Sequence, residues 1–197
     1  MSEPESFDRL MARVRACRIC AAHLPLGSRP VVQASPQSRL LIVSQAPGRK
    51  VHETGIPFND ASGDRLREWL GVDRNAFYDA AKIAIVPMGF CFPGTGKGGD
   101  LPPRPECAPT WHPHLLPRLE HVRLTLAIGQ YAQAGLLADR RGRTLTDTVL
   151  AWREHLAHGV LPLPHPSPRN RLWLSRNPWF EAELLPELRR LVAEALR

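Results

Sequence analysis

The sequence predicts an α/β fold, a four-stranded parallel sheet with helices on both faces. Three observations predict it. Four short apolar runs recur along the chain, they alternate with amphipathic stretches, and none shows the in–out alternation of a strand with one wet face. At 197 residues the chain is long enough for one such domain with a good core, and a single domain over 1–197 is expected.

The elements follow in order. Residues 5–22 read as a helix, with Phe7, Leu10, Met11, Val14 and Ile19 three to four apart. The connector LPLGSRPV follows. RLLIVSQAPG gives a buried strand over 39–44 that ends in a Gly/Pro turn. SGDRLREWLG gives a helix, with Ser62 as N-cap and Gly71 as stop. KIAIVPMGF is the second strand, and the long loop CFPGTGKGGDLPPRPECAP comes next. A helix is expected over 108–120, although Pro113 and Pro117 interrupt it. RLTLAIG is the third strand, with a short helix near 131–138. TLTDTVLAWREHL is amphipathic, with Leu145, Val149, Trp152 and Leu156 on one side. GVLPLP is the fourth strand, and a helix over 178–196 closes the chain.

No run of eighteen apolar residues exists, so no transmembrane helix is expected. The N-terminus lacks the basic-then-apolar layout of a signal peptide, and a cytoplasmic protein is expected. Lys and Arg number 26 against 19 Asp and Glu, for a net +7 that is mostly arginine. That surface suits an anionic partner such as nucleic acid; arginine-favouring codon usage would give the same composition.

Sites in open parallel sheets lie beyond the carboxyl ends of the strands. Here those ends carry SQAPG, PMGFC, GQ and HPSPRN. In the last, Pro164, Pro166 and Pro168 flank His165 and leave its imidazole on a stiff segment. Cys17 and Cys20 form C-x-x-C, and Cys91 and Cys107 follow at a distance. In a cytosolic chain this points to a metal or redox site rather than to structural disulfides.

Taken together, SQAPGRKVHETGIPFNDASGDRL, the four cysteines and HPSPRN resemble the uracil-DNA glycosylase superfamily over roughly residues 14–190. The resemblance implies a three-layer α/β/α fold with a central four-stranded parallel sheet. Ser44–Gly48 is similar to the G-E-A-P-G and G-L-A-P-A loops of iron–sulfur families four and five. Another branch carries Asp at the third place of this loop, where this chain has Ala46. The downstream stretch Gly55–Gly63 is similar to a family-five segment that supplies an aspartate. The resemblance therefore implies Asp60 as the carboxylate that orients water or stabilises the sugar cation, and helix stabilisation is the competing reading of that residue. Phe58 aligns with an aromatic that stacks on the extruded base; packing in the core is its other reading.

A four-cysteine site holds either a [4Fe–4S] cluster or zinc, and the resemblance implies the cluster, in a structural role on Cys17, Cys20, Cys91 and Cys107. HPSPRN is similar to the single-strand-selective monofunctional branch, which implies that His165 donates to O2 of the leaving base. Ser167, Arg169, Asn170 and Arg171 then meet the DNA backbone. Leu172, Trp173 or Leu174 fills the vacated stack; packing under the last helix is the alternative for Trp173 and Leu174. One departure stands out. Where the families place an Asn that reads uracil, this chain has Pro87. Reading of the base then falls to the backbone of Met88 or Gly89 or to the side chains of Asn59 or Gln45, and hypoxanthine and xanthine enter as further substrates. The implied partner is DNA with a deaminated base, bound by a monomer without membrane association. The implied activity is a monofunctional glycosylase, and the alternative is an iron–sulfur damage sensor with little or no base release. A hydrolase of free nucleosides on the same fold is a third reading.

Overall fold

A computed structural model describes residues 5–197. In chain order the strands are β1 (Leu40–Val43), β2 (Ile83–Ile85), β3 (Thr95–Gly96), β4 (Gly99–Asp100), β5 (Leu124–Ile128) and β6 (Val160–Leu163). Four of them form one parallel sheet in the order β2-β1-β5-β6, and β3 and β4 pair as a small antiparallel hairpin. The helices are α1 (Phe7–Arg15), α2 (Arg49–Thr54), α3 (Ala61–Leu70), α4 (Arg74–Tyr78), α5 (Cys107–Leu115), α6 (Gly129–Leu137), α7 (Leu145–Leu150), α8 (Trp152–Leu156), α9 (Arg171–Arg176) and α10 (Leu185–Ala195).

The sheet is apolar on both faces because it divides two cores. Leu40 and Ile42 of β1 join Leu66, Trp69, Phe77, Trp152, Phe180 and Leu188 on one side. Leu41 and Val43 join Leu10, Val14, Phe90, Trp111 and Leu115 on the other. Successive strand residues point to opposite faces, so each strand feeds both layers. The architecture is the three-layer α/β/α arrangement expected. From β1 the chain steps outward to β2, then crosses back to place β5 on the other flank of β1. That reversal opens a crevice beyond the carboxyl ends of β1 and β5.

Several elements depart from the sequence reading. Helix α1 stops at Arg15, so the expected helix over 5–22 covers only its first half; Cys17–Cys20 turns away and a 3₁₀ turn follows at Ala21–His23. Asp60, not Ser62, is the N-cap of α3: its Oδ1 accepts from Gly63 N–H at 2.9 Å. The two short helices α2 and α4 have too few turns to show a period. Pro113 lies within α5, and the segment holding Pro117 tightens into a 3₁₀ turn. The stretch 144–156 breaks at Ala151 into α7 and α8. The closing helix begins as a π turn at Phe180–Leu184, just before Pro186 withholds its N–H. Among the described residues no helix is long and apolar enough to cross a membrane.

Candidate active site

The carboxyl ends of the strands surround a cleft of about 660 Å³, room enough for a nucleotide-sized group. The β1 loop supplies Gln45, Ala46 and Gly48, and the following turn supplies Phe58 and Asp60. The end of β2 supplies Pro87, the start of α6 supplies Gln130 and Tyr131, and the loop after β6 supplies His165, Ser167, Arg169 and Asn170. Asp100 reaches the cleft from the hairpin. Asp60 and His165, more than a hundred residues apart in sequence, thus face one space.

His165 is held by its own loop. Ser167 N–H donates to Nδ1 at 3.2 Å, which leaves the ring proton on Nε2. Asn170 Nδ2 donates to the His165 carbonyl at 2.7 Å, and Ser167 Oγ accepts from Arg169 N–H at 3.3 Å. Arg65 reaches the Ser167 carbonyl from α3. Opposite, Gly129 packs beside His165 and adopts φ +78°, a left-handed conformation that favours glycine. Burial pushes the imidazole below its ordinary value of 6.5, and the negative charges of Asp60 and Asp100 oppose that shift in part. The ring is a neutral, oriented N–H donor.

Asp60 is divided between two tasks. One carboxylate oxygen caps α3; the other lies near Gly48, where a methyl group would come within 3.9 Å of it. The turn before it is tightly packed. Phe58 adopts φ +52°, unusual for an aromatic residue, and its carbonyl is fixed by Arg67 Nη1 at 3.3 Å and Tyr78 OH at 3.4 Å. A methyl group on Gly63 would lie 1.7 Å from that carbonyl oxygen. Arg67 is buried, and Asp64 neutralises it at 2.5 Å. The Phe58 ring meets Phe77 edge-on and also lines the cleft, so it belongs to the core and to the site together.

Other expected base-contacting groups are occupied or turned elsewhere. Met88 N–H and Gly89 N–H donate to the carbonyls of Ser44 and Gln45 at 2.8 and 2.9 Å, extending the β1–β2 pairing, so neither is free for a ligand. The Met88 side chain packs toward Gly135. Asn59 points to Arg74 Nη2 at 3.3 Å and does not line the cleft. Gln45 does line it, but its Nε2 donates to the Leu101 carbonyl at 2.9 Å and holds the hairpin loop. Trp173 is turned inward: its Nε1 donates to Thr146 Oγ1 at 2.9 Å, and its ring packs on Trp179 and Phe180. Leu174 also packs against the core, whereas Leu172 is 60% exposed. Arg171 is exposed and outside the cleft lining. The sequence reading missed Asp100, Gln130 and Tyr131. The GQ pair at a strand end was a signal for Gln130; Asp100 sat in a Gly/Pro loop with no periodicity to place it.

Apart from the cleft, Cys17, Cys20, Cys91 and Cys107 line one small cavity with Pro30, Gly89, Phe90 and Arg104. All four are free of disulfides. Phe90 N–H donates to Cys107 Sγ at 3.3 Å, and the Arg29 backbone N–H supports Cys91. Burial pushes Cys91 up to about 11 and Cys107 up to about 12, and neighbouring thiols add to both shifts. A bound cation would reverse that balance and favour thiolates. Among the described residues no three His, Cys, Asp or Glu side chains are grouped as ligands of one ion; the thiols surround a space rather than meet at a point. Four thiols around one cavity, with N–H···S support at Cys107, fit a thiolate-held metal centre.

Compared with known families, residues 31–189 match the family model described as the uracil DNA glycosylase superfamily, a span that takes in the whole sheet, the cleft and two of the four cysteines.

Proposed function

Because this chain belongs to the uracil-DNA glycosylase superfamily, we propose that it is a monofunctional DNA glycosylase that extrudes a deaminated base, uracil foremost, and hydrolyses its N-glycosidic bond. The observation that carries the reading is that Asp60 and His165 face one cleft at the rim of the sheet.

The chemistry follows from charge. As the C1′–N1 bond breaks, negative charge grows on the base and positive charge on the sugar. A fixed neutral donor at His165 Nε2 meets the first charge more strongly in the transition state than in the ground state. The free oxygen of Asp60 faces the second. The Phe58 ring offers a flat contact for the base, worth about 1–3 kcal/mol and tolerant of its identity. No lysine is among the residues lining the cleft, which favours water over imine chemistry. Ser167, Arg169 and the exposed Arg171 would meet DNA phosphates, and Leu172 would occupy the gap left by the base.

With Pro87 at the edge-reading place, Gln45 Nε2 held by Leu101 and Asn59 turned to Arg74, selectivity falls to shape, to His165 and to the other polar side chains lining the cleft. Hypoxanthine and xanthine are therefore substrates to test beside uracil. The four cysteines would hold a [4Fe–4S] cluster, which supplies a cross-link between the N-terminal segment and the loop ending at Cys107. The protein would act as a single-domain monomer.

The test is base release from labelled oligonucleotides that carry uracil, hypoxanthine or xanthine in single and double strands, followed by alkali cleavage. Release of at least one base supports the reading. Tight binding to these oligonucleotides with no release from any of them would make the protein a damage sensor, the alternative that Pro87 favours.

A further inference from the structure

We propose that Asp100, delivered by the β3–β4 hairpin, is a second catalytic carboxylate that holds the attacking water jointly with Asp60. This inference rests on the glycosylase reading above. Three observations lead to it.

First, the two carboxylates look onto the same spot. A methyl group on Gly48 would lie 3.3 Å from Asp100 Oδ2 and 3.9 Å from Asp60 Oδ2. The bare Cα of Gly48 leaves the space between those oxygens open, and both residues line the cleft. Second, each carboxylate has one oxygen committed and one facing that space. Asp60 Oδ1 accepts from Gly63 N–H, and Asp100 Oδ1 accepts from Thr95 Oγ1 at 3.4 Å. Third, the hairpin is pinned on both sides of the cleft. Gln45 Nε2 holds the Leu101 carbonyl, and Leu101 N–H donates to the Gly94 carbonyl at 2.9 Å. The Arg169 guanidinium rests against Gly99, where a methyl group would fall 2.2 Å from Nη1; at φ +132° that residue favours glycine. Asp100 is thereby set in place from the β1 loop and from the His165 loop. Its charge also acts on His165, as does that of Asp60.

Water has two O–H bonds. Asp60 alone has one free oxygen, which fixes one O–H and leaves the molecule free to spin about it. A second acceptor at Asp100 fixes the other O–H and turns a lone pair outward, toward the anomeric carbon of an extruded nucleotide. In the step itself, the C1′–N1 bond breaks and its electron pair leaves with the base. The water oxygen bonds to C1′, and one water proton passes to a carboxylate. The base anion, held at His165 Nε2–H, takes a proton from solvent after release.

The test uses the full-length protein and a uracil oligonucleotide under single-turnover conditions, with DNA affinity measured separately. Asp100→Asn keeps the side-chain size and leaves the backbone contacts of the hairpin untouched. The expected result is a rate at saturating protein at least tenfold lower, with the Kd for DNA within twofold of wild type. An Asp100→Asn rate within twofold of wild type overturns the proposal, as does a loss confined to affinity. The Asp60→Asn/Asp100→Asn double variant gives a second readout. Two groups that share one water are non-additive, so the double variant should be about as slow as the slower single variant; multiplied losses would overturn the proposal. Wild-type protein that releases none of the deaminated bases defeats the glycosylase reading and this inference with it.

Discussion

Substitutions at Asp60 separate fold from chemistry at a single residue. Its Oδ1 caps α3 at 2.9 Å from Gly63 N–H, while its Oδ2 looks into the cleft near Gly48. Asp60→Ala removes both functions. Loss of an N-cap costs roughly 1 kcal/mol, within a range of about 0.5–2 kcal/mol. For a chain of this size that corresponds to a fall in Tm of about 2–4 °C. Asp60→Asn keeps an oxygen that accepts from Gly63 N–H and removes the charge, so its Tm should stay within about 1 °C of wild type. Both variants should release base at least tenfold more slowly than wild type in single-turnover assays. Thermal melts and base release, measured on the same preparations, read the two effects independently. If the Asn variant is as unstable as the Ala variant, the cap does not act through this hydrogen bond. If it is as active as wild type, the charge at this position has no part in the reaction.

Other predictions follow from the site and its supports. His165→Ala should slow base release about 10²–10³-fold, the cost of one lost donor at a developing anion; a loss under tenfold removes the residue from the mechanism. Burial lowers the folded-state pKa of both His165 and His155, so the stability they contribute as neutral rings is complete above 6.5 and is lost as pH falls below it. Urea midpoints measured from pH 8 to pH 5 should therefore decline on the acid side, and His165→Gln should flatten part of that decline. Gly63→Ala should destabilise the fold by more than about 2 kcal/mol, because the Phe58 carbonyl would have to move; a urea midpoint equal to wild type would refute the tight packing. Protein purified without air should carry about four iron atoms per chain and absorb broadly in the visible, and Cys107→Ser should lower both; a colourless protein with one zinc would assign the other metal.

Much of the fold was legible because apolar strands and Gly stops are local signals. Leu40–Val43 reads as a buried strand with no knowledge of its neighbours, and Gly71 ends α3 as its sequence position implies. Short elements such as α2 and α4 were not legible, since five or six residues carry no period. The cap of α3 was misplaced by two residues because Asp60 and Ser62 are both good capping residues, and tertiary packing of the Phe58 turn decides between them. In the site, Gln45, Phe58, Asp60, His165, Ser167, Arg169 and Asn170 line one cleft while Asn59, Arg171 and Trp173 do not, and several polar atoms are already engaged. Ladder bonds claim the N–H groups of Met88 and Gly89, and Arg74 claims Asn59. A sequence states which donors exist and not which remain free. Asp100 was invisible for the complementary reason: only the folded hairpin brings a residue from an irregular loop into the cleft.

The hydrogen bond from Gly63 to Asp60 carries an implication for how such a protein can lose or change its activity. Most replacements at position 60 would weaken the molecule and silence it together, so an inactive descendant would also tend to be a fragile one. Asparagine is one exit from that coupling, reachable by a single-base codon change, because it keeps the cap and removes the charge. On the proposed glycosylase reading, a folded but inert copy of this protein is one nucleotide away, and it would compete with the working form for its DNA substrate.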